Sequence, residues 1–173
     1  MLFHTRHAVM YGAGNIGRGF IGMLLSQSGF KVTFIDVLKP VVDALNQRGS
    51  YPVRILETDK FEDVLVECVD AIDGMNETAV AEAIANTDVM ATAVGANILP
   101  RIAKNIALGL RLRMNRGGRP LNILICENLI DANIALMGWI SEHLDEKECA
   151  WMKQNVGFVE ASIGRMVPVQ TPQ

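Results

Sequence analysis

The sequence predicts a doubly wound α/β domain, a mainly parallel sheet with helices on both faces. Three observations predict it. Short apolar runs alternate with stretches of helical periodicity along the chain. A glycine-rich turn, Gly12-Ala13-Gly14-Asn15-Ile16-Gly17, joins the first apolar run to the first helical stretch. An aspartate, Asp36, closes the next apolar run. Alternating strands and helices form βαβ units, whose right-handed crossovers make the sheet parallel and cover both its faces. The 173 residues fit a single domain, and the 50% apolar content supports a core.

The elements follow in order. His7–Tyr11 reads as the first strand. From Ile16 to Ser28, apolar residues at Ile16, Phe20 and Leu24, and at Ile21 and Leu25, fall on one helix face. Gly29 then stands where a glycine ends a helix. Lys31–Ile35 is a β-branched and aromatic strand. Pro40 suits a first helical turn, and Val41, Leu45 and Gly49 complete that helix. Tyr51–Leu56 and Val64–Ile72 read as two strands about a polar turn near Glu57–Lys60. Asn76 can cap a helix over Glu77–Ala85. Asp88–Val94 is a further strand, and Ile98 to about Arg113 a further helix. Leu121–Cys126 is a strand, Asp131–Leu144 and Glu146–Gln154 are helices, and Val156–Ile163 is the last strand.

Composition narrows the function. Sixteen basic against nineteen acidic residues leave a net charge of −3, which argues against a basic nucleic-acid surface. No apolar stretch reaches the length of a membrane span, and no secretory signal is recognisable. Cys68, Cys126 and Cys149 are odd in number and far apart, which suits a cytoplasmic protein better than a disulfide framework or a zinc site. His4, His7 and His143 are scattered, so no metal site is expected. Cys126 lies in an apolar strand and reads as a small core residue. The four arginines between Arg111 and Arg119 read as a solvated helix end with favourable dipole charge.

The glycine turn carries the chemistry. Gly12 permits the tight turn, Gly14 lets a pyrophosphate approach the backbone, and Gly17 lets helix and strand pack closely. The helix start offers free N–H groups and partial positive charge to phosphates. Asp36 lies 19 residues after Gly17. A carboxylate there can accept hydrogen bonds from an adenosine ribose. It would also repel a 2′-phosphate by roughly 4 kcal/mol at about 4 Å and an effective dielectric near 20. The expected cofactor is therefore NAD rather than NADP. An Asp at this point is also a favoured helix cap, so both roles stay open. Thr92-Ala93-Val94-Gly95 ends the fourth parallel strand, where ligands of such sheets sit. Glu127-Asn128 ends the next strand on the same rim.

GAGNIGRGFIG (Gly12–Gly22), TAVG (Thr92–Gly95), CEN (Cys126–Asn128) and VGFVEASIGRMVP (Val156–Pro168) together resemble the polyol-specific long-chain dehydrogenases, on the side of that family that handles mannitol 1-phosphate. The resemblance implies a Rossmann domain for NAD, followed by a helical C-terminal domain that supplies a catalytic Lys with an Asn and a His. No such Lys-Asn-His pattern occurs in these residues. The cofactor loop falls on Gly12, Ala13, Gly14, Asn15, Ile16, Gly17, Arg18 and Gly19, with the ribose carboxylate on Asp36. The family's oxygen-polarising Asn falls on Asn128, a supporting catalytic role. Where the family reads V-D-R near the end of this domain, the sequence has Ile163-Gly164-Arg165, without the carboxylate.

These readings divide the chain into a Rossmann domain, residues 1–165, and a tail, residues 166–173, leading toward a substrate domain. They imply hydride transfer between a sugar alcohol or its phosphate and NAD, with this chain alone inactive. A reading from another class is a non-catalytic NAD-binding sensor or assembly module.

Overall fold

The computed structural model describes residues 6–168. A six-stranded sheet runs β1 (Arg6–Tyr11), β2 (Phe30–Asp36), β5 (Val69–Asp73), β6 (Val89–Thr92), β7 (Leu121–Ile125) and β8 (Val156–Glu160) in the spatial order β5-β2-β1-β6-β7-β8. Every neighbouring pair in it is parallel. The chain winds outward from β1 through β2 to β5, then returns to the other side of β1 for β6, β7 and β8. The order of the strands therefore reverses between β1 and β6, and all carboxyl ends share one edge.

The residues alternate between two cores. Val9, Tyr11, Ile35, Met90, Ile123 and Ile125 point to one face, which packs against α3 (Glu77–Asn86), α4 (Leu99–Asn115), α5 (Ala132–Ser141) and α6 (Glu146–Asn155). Ala8, Met10, Val32, Phe34 and Ala91 point to the other face, against α1 (Met23–Gln27) and α2 (Lys39–Arg48). Phe34, Ile35, Met90 and Ile123 are completely buried. Burying each such side chain contributes about 1.5–3 kcal/mol. Local signals set the helix ends. Asn76 accepts from the Ala79 N–H at 3.1 Å, Pro40 lies in the first turn of α2, and Gly49 ends it with φ +63°.

The structure corrects three expectations. The run Val64–Ile72 is two strands: β4 (Phe61–Glu67) pairs antiparallel with β3 (Ser50–Leu56) in a separate hairpin, and β5 joins the main sheet. Cys68, between them, has φ +56°, a turn that residue identity does not advertise. The first helical stretch opens with wide π-helical turns over Gly17–Gly22 before α1. The arginines between Arg111 and Arg119 are a solvated helix end only in part: Arg116 and Arg119 are exposed, but the group is ion-paired and Arg113 is buried. Arg111 pairs with Glu148 at 2.5 Å, Arg116 with Glu82 at 2.8 Å, and Arg119 with Asp88. Arg113 is buried and donates to the carbonyls of Ile84, Ala85 and Thr87, capping the end of α3 from the end of α4.

Candidate functional site

The glycine turn sits at the carboxyl edge, beside the strand reversal. The Gly12 N–H donates to the Ile35 carbonyl at 2.8 Å, continuing the β1–β2 ladder past the end of β1. Gly12 has φ +102°, and a Cβ there would collide with the Ala93 carbonyl oxygen. A Cβ on Gly17 would collide with the Gly12 carbonyl oxygen, so helix and turn are in contact. Gly14 behaves differently: nothing lies within 4 Å of the position a Cβ would take. Two glycines are thus required by internal packing, and the third faces open space where a ligand backbone can approach. Asn15 and Ile16 form the first helical turn, where N–H groups lack intrahelical partners. The Arg18 Nε donates to the Ala13 carbonyl at 2.5 Å, holding a guanidinium beside this anion-attracting end.

The turn is held from two sides. Asp36 Oδ2 accepts from the Ala13 N–H at 2.7 Å, and its Oδ1 accepts from the Leu38 N–H at 2.9 Å. Asp36 thereby anchors the glycine turn and the connection into α2, but it is not the cap of that helix, whose N-cap is Leu38 without a side-chain cap bond. Each carboxylate oxygen keeps a second lone pair for a further donor. Val37, Leu38 and Met75 stand exposed around it, an apolar rim at the ends of β2 and β5. From the opposite side, the Tyr51 hydroxyl of β3 donates to the Arg18 carbonyl at 2.8 Å. Its ring packs edge-on against Phe34, and burial raises the phenol pKa.

The Thr92–Gly95 segment follows β6 across the reversal. The Ala93 N–H donates to the Tyr11 carbonyl, and the Ala93 carbonyl backs Gly12, so this segment and the glycine turn touch. Thr92 is fully buried, and its hydroxyl has no partner among the described residues. Gly95 turns the chain with φ +94°. The amides of Val94 and Gly95 both donate to Glu127, to Oε1 at 2.9 Å and to Oε2 at 2.8 Å. Glu127 is 9% exposed. Sequence reasoning placed this residue on the rim but gave it no role, because its partners lie 32 and 33 residues earlier. Asn128, next in the chain, is exposed on the same edge. The Cys126 thiol is buried, and burial together with the Glu127 charge pushes its pKa up to about 11, which suits a core residue and not a nucleophile.

Beyond β8 the chain returns toward the glycine turn. Val167 lies against Gly19, and the Arg165 guanidinium stands 5.8 Å from the Phe20 ring centre. Gly164 is exposed with open space around it. The weaker candidates stay apart from this edge. His7 and His143 lie on different elements, and His4 falls outside the described residues. Among the described residues no three His, Cys, Asp or Glu gather as metal ligands, and no helix is long and apolar enough to cross a membrane. Cavities of about 370 and 460 Å³ open beside Arg6 and Arg119, and between Asp70 and Asn86, without any residue of the glycine turn.

A parallel sheet with this strand order, a glycine turn leading into a helix at the reversal, and a carboxylate closing the second strand define a Rossmann domain. The chain belongs to the mannitol dehydrogenase Rossmann domain family, which it matches over residues 6–173. It is 49% identical over 163 residues to a mannitol-1-phosphate 5-dehydrogenase of Brevibacillus brevis, covering 94% of this chain and 42% of that protein. It is 44% identical over 164 residues to the protein of the same name from Lactiplantibacillus plantarum, again covering 94% and 42%. The chain thus spans less than half the length of these relatives. Its fold is similar to that of Pseudomonas fluorescens mannitol 2-dehydrogenase, whose structure is a ternary complex with NAD and D-mannitol. There the TM-score is 0.75 at 14% identity, covering 90% of this chain and 41% of that one.

Proposed function

We propose that residues 1–165 are the NAD-binding domain of a dehydrogenase that moves hydride between a sugar alcohol or its phosphate and NAD. Residues 166–173 lead toward a helical domain that carries the catalytic Lys. The observation that carries the reading is the carboxyl edge itself. Gly14 faces open space between Asp36 on one side and the Thr92–Gly95 segment on the other. A dinucleotide fits that span: ribose hydroxyls at Asp36, phosphates at the helix start with Arg18, and the second nucleoside along Thr92–Gly95.

When bound, the nicotinamide ring would supply the site that accepts or returns hydride. The chain's own residues would bind and orient. Backbone N–H groups at Gly14, Asn15, Ile16 and Gly17 would neutralise phosphate charge, with Gly19 part of the same helical segment. The exposed Asn128 amide would donate to the reacting oxygen and stabilise charge developing there. A sensor or assembly module would use the same edge without needing an amide at Asn128, so this residue favours the enzyme reading. Asp36 favours NAD over NADP, because its carboxylate would face the extra phosphate.

Isothermal calorimetry on the 173-residue chain tests this reading. NAD should bind with measurable heat, and NADP should bind at least tenfold more weakly, a modest fraction of the repulsion between unscreened charges. Equal affinity for the two, or tighter NADP binding, would contradict the assignment.

A further inference from the structure

We propose that Glu127 is a positioning residue that sets the nicotinamide side of the cofactor crevice and its distance from Asn128, an inference that rests on the NAD reading above. Glu127 follows β7, while the two amides it accepts from, Val94 and Gly95, follow β6. The carboxylate therefore ties the ends of neighbouring strands together just beyond the last β6–β7 register pair, Thr92 with Ile125. Past that pair the Cys126 N–H still donates to the Thr92 carbonyl, and then the ladder stops. Val94 and Gly95 point their N–H groups at Glu127 alone.

The chemistry is specific to a carboxylate. Two adjacent N–H donors need two acceptor oxygens, and an ionised Glu offers both. A Gln would present one oxygen and one NH₂ group, setting donor against donor at one of the two amides. Glu127 makes no ion pair among the described residues, although it is nearly buried. Burying a carboxylate without a cation is costly, and here only the two amide hydrogen bonds offset it. Gly95 has φ +94° and open space where a Cβ would stand; its carbonyl accepts from the Ile98 and Leu99 N–H groups, and on the N–H side Glu127 is its partner. Because Asn128 is the next residue, the same bond fixes where its amide stands relative to the Thr92–Gly95 segment.

The effect should be confined to one half of the cofactor. NAD reaches across both halves, whereas ADP carries only the ribose and phosphates expected at Asp36 and the glycine turn. Calorimetry on the 173-residue chain with NAD and with ADP separates them. For Glu127→Gln, NAD affinity should fall roughly tenfold, the value of one charge-assisted hydrogen bond, while ADP affinity changes less than about twofold. Glu127→Asp keeps the charge but is too short to meet both amides, so it should show the same split with a smaller loss. It also supplies the answer if the Gln variant does not fold. Unchanged NAD binding in both variants, or an equal loss of NAD and ADP, would overturn the proposal. A parent chain that binds neither ligand would instead overturn the NAD reading beneath it.

Discussion

Asp36 and Glu127 do the same physical work on opposite sides of the strand reversal. Asp36 closes β2 and Glu127 follows β7, and each uses both carboxylate oxygens to hold backbone amides. Asp36 holds the glycine turn and the start of the next connection, while Glu127 holds the segment after β6. They differ in reserve. Asp36 is half-buried, ringed by exposed Val37, Leu38 and Met75, and can still accept from a ligand. Glu127 also accepts one amide per oxygen, but it is nearly buried, so its remaining lone pairs face the protein interior rather than the crevice. One carboxylate therefore shapes the crevice and, in the proposed function, also reads its occupant, while the other only shapes it. The difference predicts that damage at the Asp36 side removes binding of any adenosine ligand, whereas damage at the Glu127 side is selective for the dinucleotide.

The sharpest way to break that comparison is Gly17→Ala, which drives a methyl into the Gly12 carbonyl where turn and helix meet. Overpacking of this kind costs about 1–3 kcal/mol. ADP and NAD binding should both vanish, and a thermal unfolding midpoint should fall with them. Next comes Asp36→Ala, which removes the Ala13 anchor and the proposed ribose acceptor together. Affinity for ADP and NAD should drop in parallel by roughly tenfold to a hundredfold, as lost hydrogen bonds to a charged group would give. The substitution should not convert the chain to NADP, because the glycine turn loses its anchor along with the repelling charge. A competitive titration of the variant with both dinucleotides checks this.

Smaller effects sharpen the picture. Tyr51→Phe removes the hydroxyl that holds the Arg18 carbonyl. It should lower stability by about 1 kcal/mol in urea unfolding, with only a few-fold loss of either ligand. Cys126 gives the smallest effect and a defined direction with pH. Its thiol pKa is raised to about 11 in the folded chain. The folded state therefore holds that proton to higher pH than the unfolded state does, so stability is present below the ordinary thiol range and is lost as pH rises toward 11. Replacing Cys126 by Ala should flatten that alkaline decline in a pH series of unfolding midpoints.

The parts of this architecture visible in the sequence are those with local signatures. Apolar runs such as Lys31–Ile35, the capping Asn76 and the stop at Gly49 each announce an element within a few residues. The glycine turn is equally local, and Asp36 stands at a spacing fixed by one βαβ unit. What escaped notice depends on distant contacts. Cys68 breaks the Val64–Ile72 run because its two halves belong to different sheets, and no residue type marks the break. Arg113 looks like surface charge until α3 supplies the carbonyls it caps. Glu127 looks like an ordinary strand-end residue until the fold brings Val94 and Gly95 beside it. Gly164-Arg165 lies on the segment returning toward the glycine turn, a placement that only the folded chain shows.

The central claim is that one edge of the sheet holds both halves of a dinucleotide. Backbone amide shifts of the 173-residue chain, followed by NMR during titration with ADP and then with NAD, test it most directly. ADP should move Ala13, Gly14, Asn15 and Asp36 while leaving Val94, Gly95 and Asn128 in place, and NAD should move both groups. Shifts scattered away from this edge, or NAD and ADP giving the same set, would contradict it.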